Sequence, residues 1–224
     1  MLDVWYALSP IDVAPVLSRD ERQRRDQFVD AAARQRYERA HGLKRVVLAH
    51  YAAGCAPQDL RFTRGRCGKP EADQPFPYRF NMSHSAHCIA IAVAADDVGV
   101  DIEWHRPIVA SASLARCVFD TEERRWLARQ ACFDEAFFRL WTLKEALLKA
   151  LGTGWTDDFD WQQIEVGAKA SGAPSVRLNG NVLALANSIP VRKIHVSLSH
   201  TTHLAFAEVI LEGGETEAVG GMKK

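Results

Sequence analysis

No apolar stretch in this 224-residue chain approaches the roughly 20 consecutive residues that a membrane-spanning helix needs. The opening MLDVWYALSP also lacks the basic segment and apolar core of a secretion signal, so the chain reads as cytoplasmic, with no membrane partner. Cysteine is sparse. Cys55, Cys67, Cys88, Cys117 and Cys132 are odd in number and show no C-x-x-C spacing, which argues against a disulfide framework and a thiolate zinc site. Net charge is missing as well: Lys+Arg and Asp+Glu each total 28, which removes any global attraction for nucleic acid or an anionic membrane.

What the chain does have is a passage that occurs twice. FNMSHSAHCIAIAVA (80–94) returns as VSLSHTTHLAFAEVI (196–210), with Ser83 and Ser199 lying 116 positions apart. Each copy runs from an apolar segment into Ser-His, a second His three residues on, and an alternating apolar run. Ahead of the first copy, 20–51 has helical spacing, no Pro and only Gly42, and predicts one long or two abutting arginine-rich helices. A basic loop with Arg64, Arg66 and Lys69 follows over 61–78, then three short strands in YRFNMS, HCIAIAVA and VGVDIEW. Further on, Thr121 starts a helix, Asp134 opens another that Gly152 closes, and QIEV, SVRL, KIHVSLS and HLAFAEVI predict strands. The expected fold is α+β. It is a pseudo-dimer of two similar α/β halves, each strand, helix and short strands, with the site in the cleft between them. The halves are expected at 1–105 and 106–212, with a loose tail at 213–224.

Only the first copy leads into GVDIEWHRP (99–107). Alternate strand residues share a face, so Asp101 and Glu103 point one way while Ile102 turns to the core. Paired carboxylates on one face suit a hard divalent cation such as Mg²⁺, or are simply two solvated acids on an edge strand. Downstream, Glu145 and Lys149 stand four apart on a helix, one turn along one face with Trp141 before them. Such a pair is common on surfaces, but this helix is apolar all round and reads as buried, where a Glu and a Lys need partners. The pairs His84/His87 and His200/His203 lie in strand-like surroundings, so their rings face opposite sides and do not suggest zinc. A His beside a Ser at a strand end suits a phosphate better.

Taken in order, GKP, FNMSHS, GVDIE and WTLKEALLK resemble the motifs of 4′-phosphopantetheinyl transferases of the surfactin-synthetase-activating type, over nearly the whole chain. The resemblance implies a pseudo-dimer holding coenzyme A in its cleft. It also implies a holo-[carrier-protein] synthase that moves the phosphopantetheine arm onto a serine of an acyl or peptidyl carrier protein, releases adenosine 3′,5′-bisphosphate, and serves secondary metabolism as a monomer. Carried over by position, it makes Asp101, Glu103 and Glu145 the Mg²⁺ ligands and Lys149 a contact to the pyrophosphate. Ser83 and His84 would meet the 3′-phosphate or nearby phosphates, with Asn81 shaping that turn; Arg24, Arg64 and Lys69 match further phosphate-binding positions. Catalysis would fall to Asp101, Lys149 and Glu145, the last as base toward the carrier serine, directly or through water. Departures are Met82 where Ile is usual and Glu21 about where some members carry a phosphate-binding Lys; His105 has no assigned role. The stretch 104–119 is the expected carrier-docking surface. Two rival readings are a Mg²⁺-dependent nuclease or phosphohydrolase, and a non-catalytic coenzyme A or carrier-binding module. Neutral charge weighs against the first, and retention of the acids and Lys149 against the second.

Overall fold

The computed structural model describes residues 1–10, 16–65, 68–73, 76–109, 111–153, 160–168, 170–189 and 191–213. Its first passage runs β1 (Leu2–Ala7), α1 (Arg19–Asp26), α2 (Ala31–Tyr51), a hairpin of β2 (Phe62–Arg64) and β3 (Pro70–Ala72), then β4 (Arg79–Ser85) and β5 (Cys88–Ala94). A second passage repeats the plan: β6 (Asp97–Trp104), α3 (Ser111–Val118), α4 (Thr121–Leu127), α5 (Phe133–Leu151), a hairpin of β7 (Ile164–Ala168) and β8 (Pro174–Leu178), α6 (Gly180–Ser188), β9 (Val191–His200) and β10 (Leu204–Gly213). Each passage builds an antiparallel three-stranded sheet in which the first strand of the passage sits at one edge and the last at the centre, in the orders β1-β5-β4 and β6-β10-β9. The mixed α+β class and the two similar units are as the repeated passage implies.

Alternation in the two central strands sets the layers. On β5, Ile89, Ile91 and Val93 pack with Val47, Leu48 and Phe80 under α2, while Cys88, Ala90, Ala92 and Ala94 turn inward. On β10 the sizes are reversed: Ala205, Ala207 and Val209 lie in the core under α5, and Leu204, Phe206 and Ile210 face the small side chains of β5. The result is helix, sheet, sheet, helix, with large residues of one sheet filling the space above small residues of the other.

Local chemistry explains most boundaries. Ser18 and Glu21 form a capping box on α1, and the Asp30 carboxylate accepts from the Ala32 and Ala33 amides, so the arginine-rich segment is two helices. Gly152 takes the left-handed conformation (φ 72°) that ends α5. Two differences from the sequence reading stand out. The strand 97–104, placed there in the first half, is hydrogen-bonded to β10 from Asp97 to Trp104, so the division at 105 cuts across the second sheet; an edge strand is claimed by its ladder and not by its place in the chain. Residues 111–118 and 180–188, to which the sequence reading gives no element, are short helices whose burial rests on a few positions, such as Val182 and Ala186. Most of the expected tail, 214–224, and part of the turn after α5 lie outside the described residues.

Candidate active site

Strands β4 and β6 belong to different sheets, yet they run side by side and are joined by their polar side chains. Ser83 Oγ donates to Asp101 Oδ1 and Ser85 Oγ to Glu103 Oε2, each at 2.7 Å, in matching steps of two along both strands. The Asn81 side-chain oxygen accepts from the Val100 amide at 3.0 Å, so Asn81 ties β4 to β6. The Ser85 hydroxyl also accepts from the Trp104 amide (3.1 Å). Sequence reasoning missed Ser85. Its spacing from Ser83, identical to that of Glu103 from Asp101, was the available signal.

Helix α5 closes the seam. Gly99 allows it to come this close, since a Cβ there would stand 1.9 Å from the Ala146 carbonyl oxygen and 2.4 Å from the Ala150 nitrogen. From this helix Lys149 Nζ reaches Asp101 Oδ1 at 2.6 Å and Ser83 Oγ at 3.0 Å. Asp101 is 3% exposed, and its second oxygen, Oδ2, is buried with no hydrogen-bond partner. Burial raises its pKa, against the charge of Lys149 and the bonds from Lys149 and Ser83, which pull it down. Glu145 lies half-buried one turn before Lys149 on the same face of α5. The fully buried lysine of α5 is instead Lys144, satisfied by Glu123 and by the carbonyls of Val118 and Trp161.

The remaining expected residues are placed more loosely. His84 is the penultimate residue of β4 and is exposed, and partial desolvation together with the charges of His41, Lys149 and Arg36 lowers its pKa. Lys69 donates to the carbonyls of Val98 and Ala150 (3.0 and 3.4 Å), at the C-terminal end of α5, and burial brings it down to about 8. Arg24 and Arg64 are exposed on α1 and β2; Arg24 donates to Gln27. Among the described residues no three His, Cys, Asp or Glu side chains form a group that could hold a metal ion, so Asp101, Glu103 and Glu145 are not gathered into one three-residue cluster.

The duplication is asymmetric at this point. Matching Ser83 to Ser199 matches Ile91 to Ala207 and Ile89 to Ala205; the partners of the first pair are Trp5 and Asp101, and of the second Ala7 and Glu103. Where the β6 seam has two carboxylates, β1 therefore has an indole and a methyl group.

With this geometry in view, a sequence model of the 4′-phosphopantetheinyl transferase superfamily matches residues 97–207, from the start of β6 into β10. The chain is 36% identical over 151 residues to the 4′-phosphopantetheinyl transferase HetI of a Nostoc species, an alignment spanning 64% of this chain and 62% of that protein. It is 35% identical over 95 residues to the holo-[acyl-carrier-protein] synthase of Koribacter versatilis, spanning 42% of this chain and 76% of that one. Among solved structures it is similar to the ACPS-CoA complex of Chronobacterium ammoniagenes, at 27% identity and a TM-score of 0.47, covering 53% of this chain and 97% of the other. The chain belongs to the 4′-phosphopantetheinyl transferase superfamily.

Proposed function

We propose that this chain is a holo-[carrier-protein] synthase that transfers the 4′-phosphopantetheine arm of coenzyme A to a serine of an apo acyl or peptidyl carrier protein and releases adenosine 3′,5′-bisphosphate. The observation that carries the reading is the Ser83–Asp101–Lys149 cluster, built where both units meet in a chain of this superfamily. Supporting it are relatives named as 4′-phosphopantetheinyl transferase and holo-[acyl-carrier-protein] synthase.

The superfamily implies Mg²⁺, and the residues present fit it as a two-carboxylate site. Asp101 Oδ2 is a buried oxygen without a partner, Glu103 follows on the same face, and both are the hard donors that Mg²⁺ takes, one or two at a time, beside substrate phosphates. Bound there, the ion would neutralise charge on the pyrophosphate of coenzyme A. Lys149 supplies a second positive charge from the helix side, and His84, with Ser83 beside it, offers donors at the strand end. Glu145, on the Lys149 face, is the proposed base for the incoming hydroxyl, and the scaffold's share of catalysis is to hold these groups in line. The proposed compartment is the cytoplasm, where coenzyme A is available. The proposed state is a monomer, because one chain already supplies both sides of the seam.

The test is incubation with apo carrier protein, coenzyme A and Mg²⁺, read by intact mass. A gain equal to one phosphopantetheine arm on the carrier is expected. Cleavage of a phosphoester or nucleic acid with the carrier unchanged would favour the hydrolase alternative instead.

A further inference from the structure

Each carboxylate of the pair already has a cation beside it. Lys149 lies 2.6 Å from Asp101, and Arg106 Nη1 lies 3.1 Å from Glu103 Oε2. Within these two pairs the charges offset each other. The two cations are held very differently, however. Lys149 projects from α5 with its side chain 24% exposed, onto a carboxylate 4% exposed, and shares the Ser83 hydroxyl with it. Arg106 is 60% exposed on the segment beyond β6, where water screens its pairing.

A carboxylate as buried as Asp101 is costly without a cation, so something must stand at Oδ1 when no substrate is bound. An ammonium at Oδ1 and a divalent ion at Oδ2 of one carboxylate repel each other, so each weakens the other's hold on it. The lysine stem is flexible enough to carry its charge elsewhere when a better anion arrives.

We propose that Lys149 is the resident counter-ion of Asp101 in the substrate-free protein, and that the pyrophosphate of coenzyme A draws it away and so frees Asp101 for the metal. Metal and substrate are then coupled through one side chain. Because coupling is reciprocal, the metal tightens coenzyme A by the same factor. The inference rests on the transferase reading for the identity of the anion; the occupancy of Asp101 by Lys149 does not.

Mn²⁺ is the probe, its free concentration followed by electron paramagnetic resonance, in the unsubstituted protein, Lys149→Met and Arg106→Met, each with and without coenzyme A. Lys149→Met should bind Mn²⁺ about tenfold or more tightly in the absence of coenzyme A, a difference of about 1.4 kcal/mol. The factor by which coenzyme A improves Mn²⁺ binding should shrink in that variant, leaving only the part due to direct contact between substrate and ion. Arg106→Met should change Mn²⁺ affinity by less than about threefold, as an exposed pair predicts. Equal gains in the two variants would reduce the effect to general electrostatics and overturn the proposal, as would unchanged or weaker Mn²⁺ binding by Lys149→Met. Should Lys149→Met fail to fold by circular dichroism, Lys149→Gln removes the charge while keeping a donor for Ser83, and the same outcomes apply. A Lys149 effect on Mn²⁺ in a protein that leaves apo carrier unmodified would refute the transferase reading and retain the counter-ion.

Discussion

Glu21 illustrates how one carboxylate can tie several elements together. Its carboxylate accepts from Lys44 at 2.8 Å, from Arg45 and from His41, and also caps the Ser18 amide. Arg45 passes the connection on to the carbonyls of Pro57 and Leu60, so α1, α2 and the chain leading to β2 are tied at one point. Burial alone would raise the Glu21 pKa, but the bond from His41 and the charges and bonds of Lys44 and Arg45 hold it well below the ordinary 4.5. A carboxylate depressed in the folded state contributes stability that is present above its unfolded pKa and is lost as pH falls toward its folded one. Glu21→Gln should therefore cost about 3 kcal/mol at neutral pH by leaving Lys44 and Arg45 partly unpaired. It should also flatten the fall in stability below pH 4.5, as urea unfolding at a series of pH values would show. Parallel stability curves for the two proteins would contradict this assignment. At this scale Asp101, Glu103 and Lys149 were legible because strand and helix periods place them. Glu21 and Lys144 were not, since a charge's burial depends on which distant groups arrive to satisfy it.

At the scale of elements, alternation made β4, β5, β6 and β10 readable, and capping signals made the start of α4 and the end of α5 readable, because both signals are local. Pairing was not: nothing local tells β6 that its ladder partner lies about a hundred residues later in β10. Gly99 is where this distant pairing becomes a mechanical requirement. A methyl group there meets backbone atoms of α5, which cannot move aside as a side chain can. Gly99→Ala should destabilise the protein by about 3 kcal/mol. It should also lower transfer activity under conditions where the variant is still folded, because α5 carries Glu145 and Lys149. Thermal melting with activity measured well below the transition checks both, and full activity in a stable variant would mean that α5 can shift without disturbing the site.

For the whole molecule, the two units share a plan and differ in chemistry. His84 and His200 occupy equivalent places, each near the end of its strand and paired five residues on, with Ile89 and Ala205. Only His84 adjoins the seam with the acids. On the proposed reading, His84→Ala should raise the KM for coenzyme A about tenfold or more, as loss of a charge-assisted hydrogen bond does, and His200→Ala should leave it nearly unchanged. Equal losses at equal stability would mean that the second unit also binds substrate. That two units exist was visible in the repeated passage; that their counterpart positions hold Trp5 and Ala7 became visible only through the strand registers. The central claim, that arm transfer takes place at the β4–β6 seam, is tested most directly by the intact mass of an apo carrier protein over time, with the unsubstituted chain and with Asp101→Asn. The account predicts a gain of one phosphopantetheine arm with the first and a rate at least about a hundredfold lower with the second, since the substitution keeps the shape and removes the charge. Equal rates of mass gain with both proteins would contradict it.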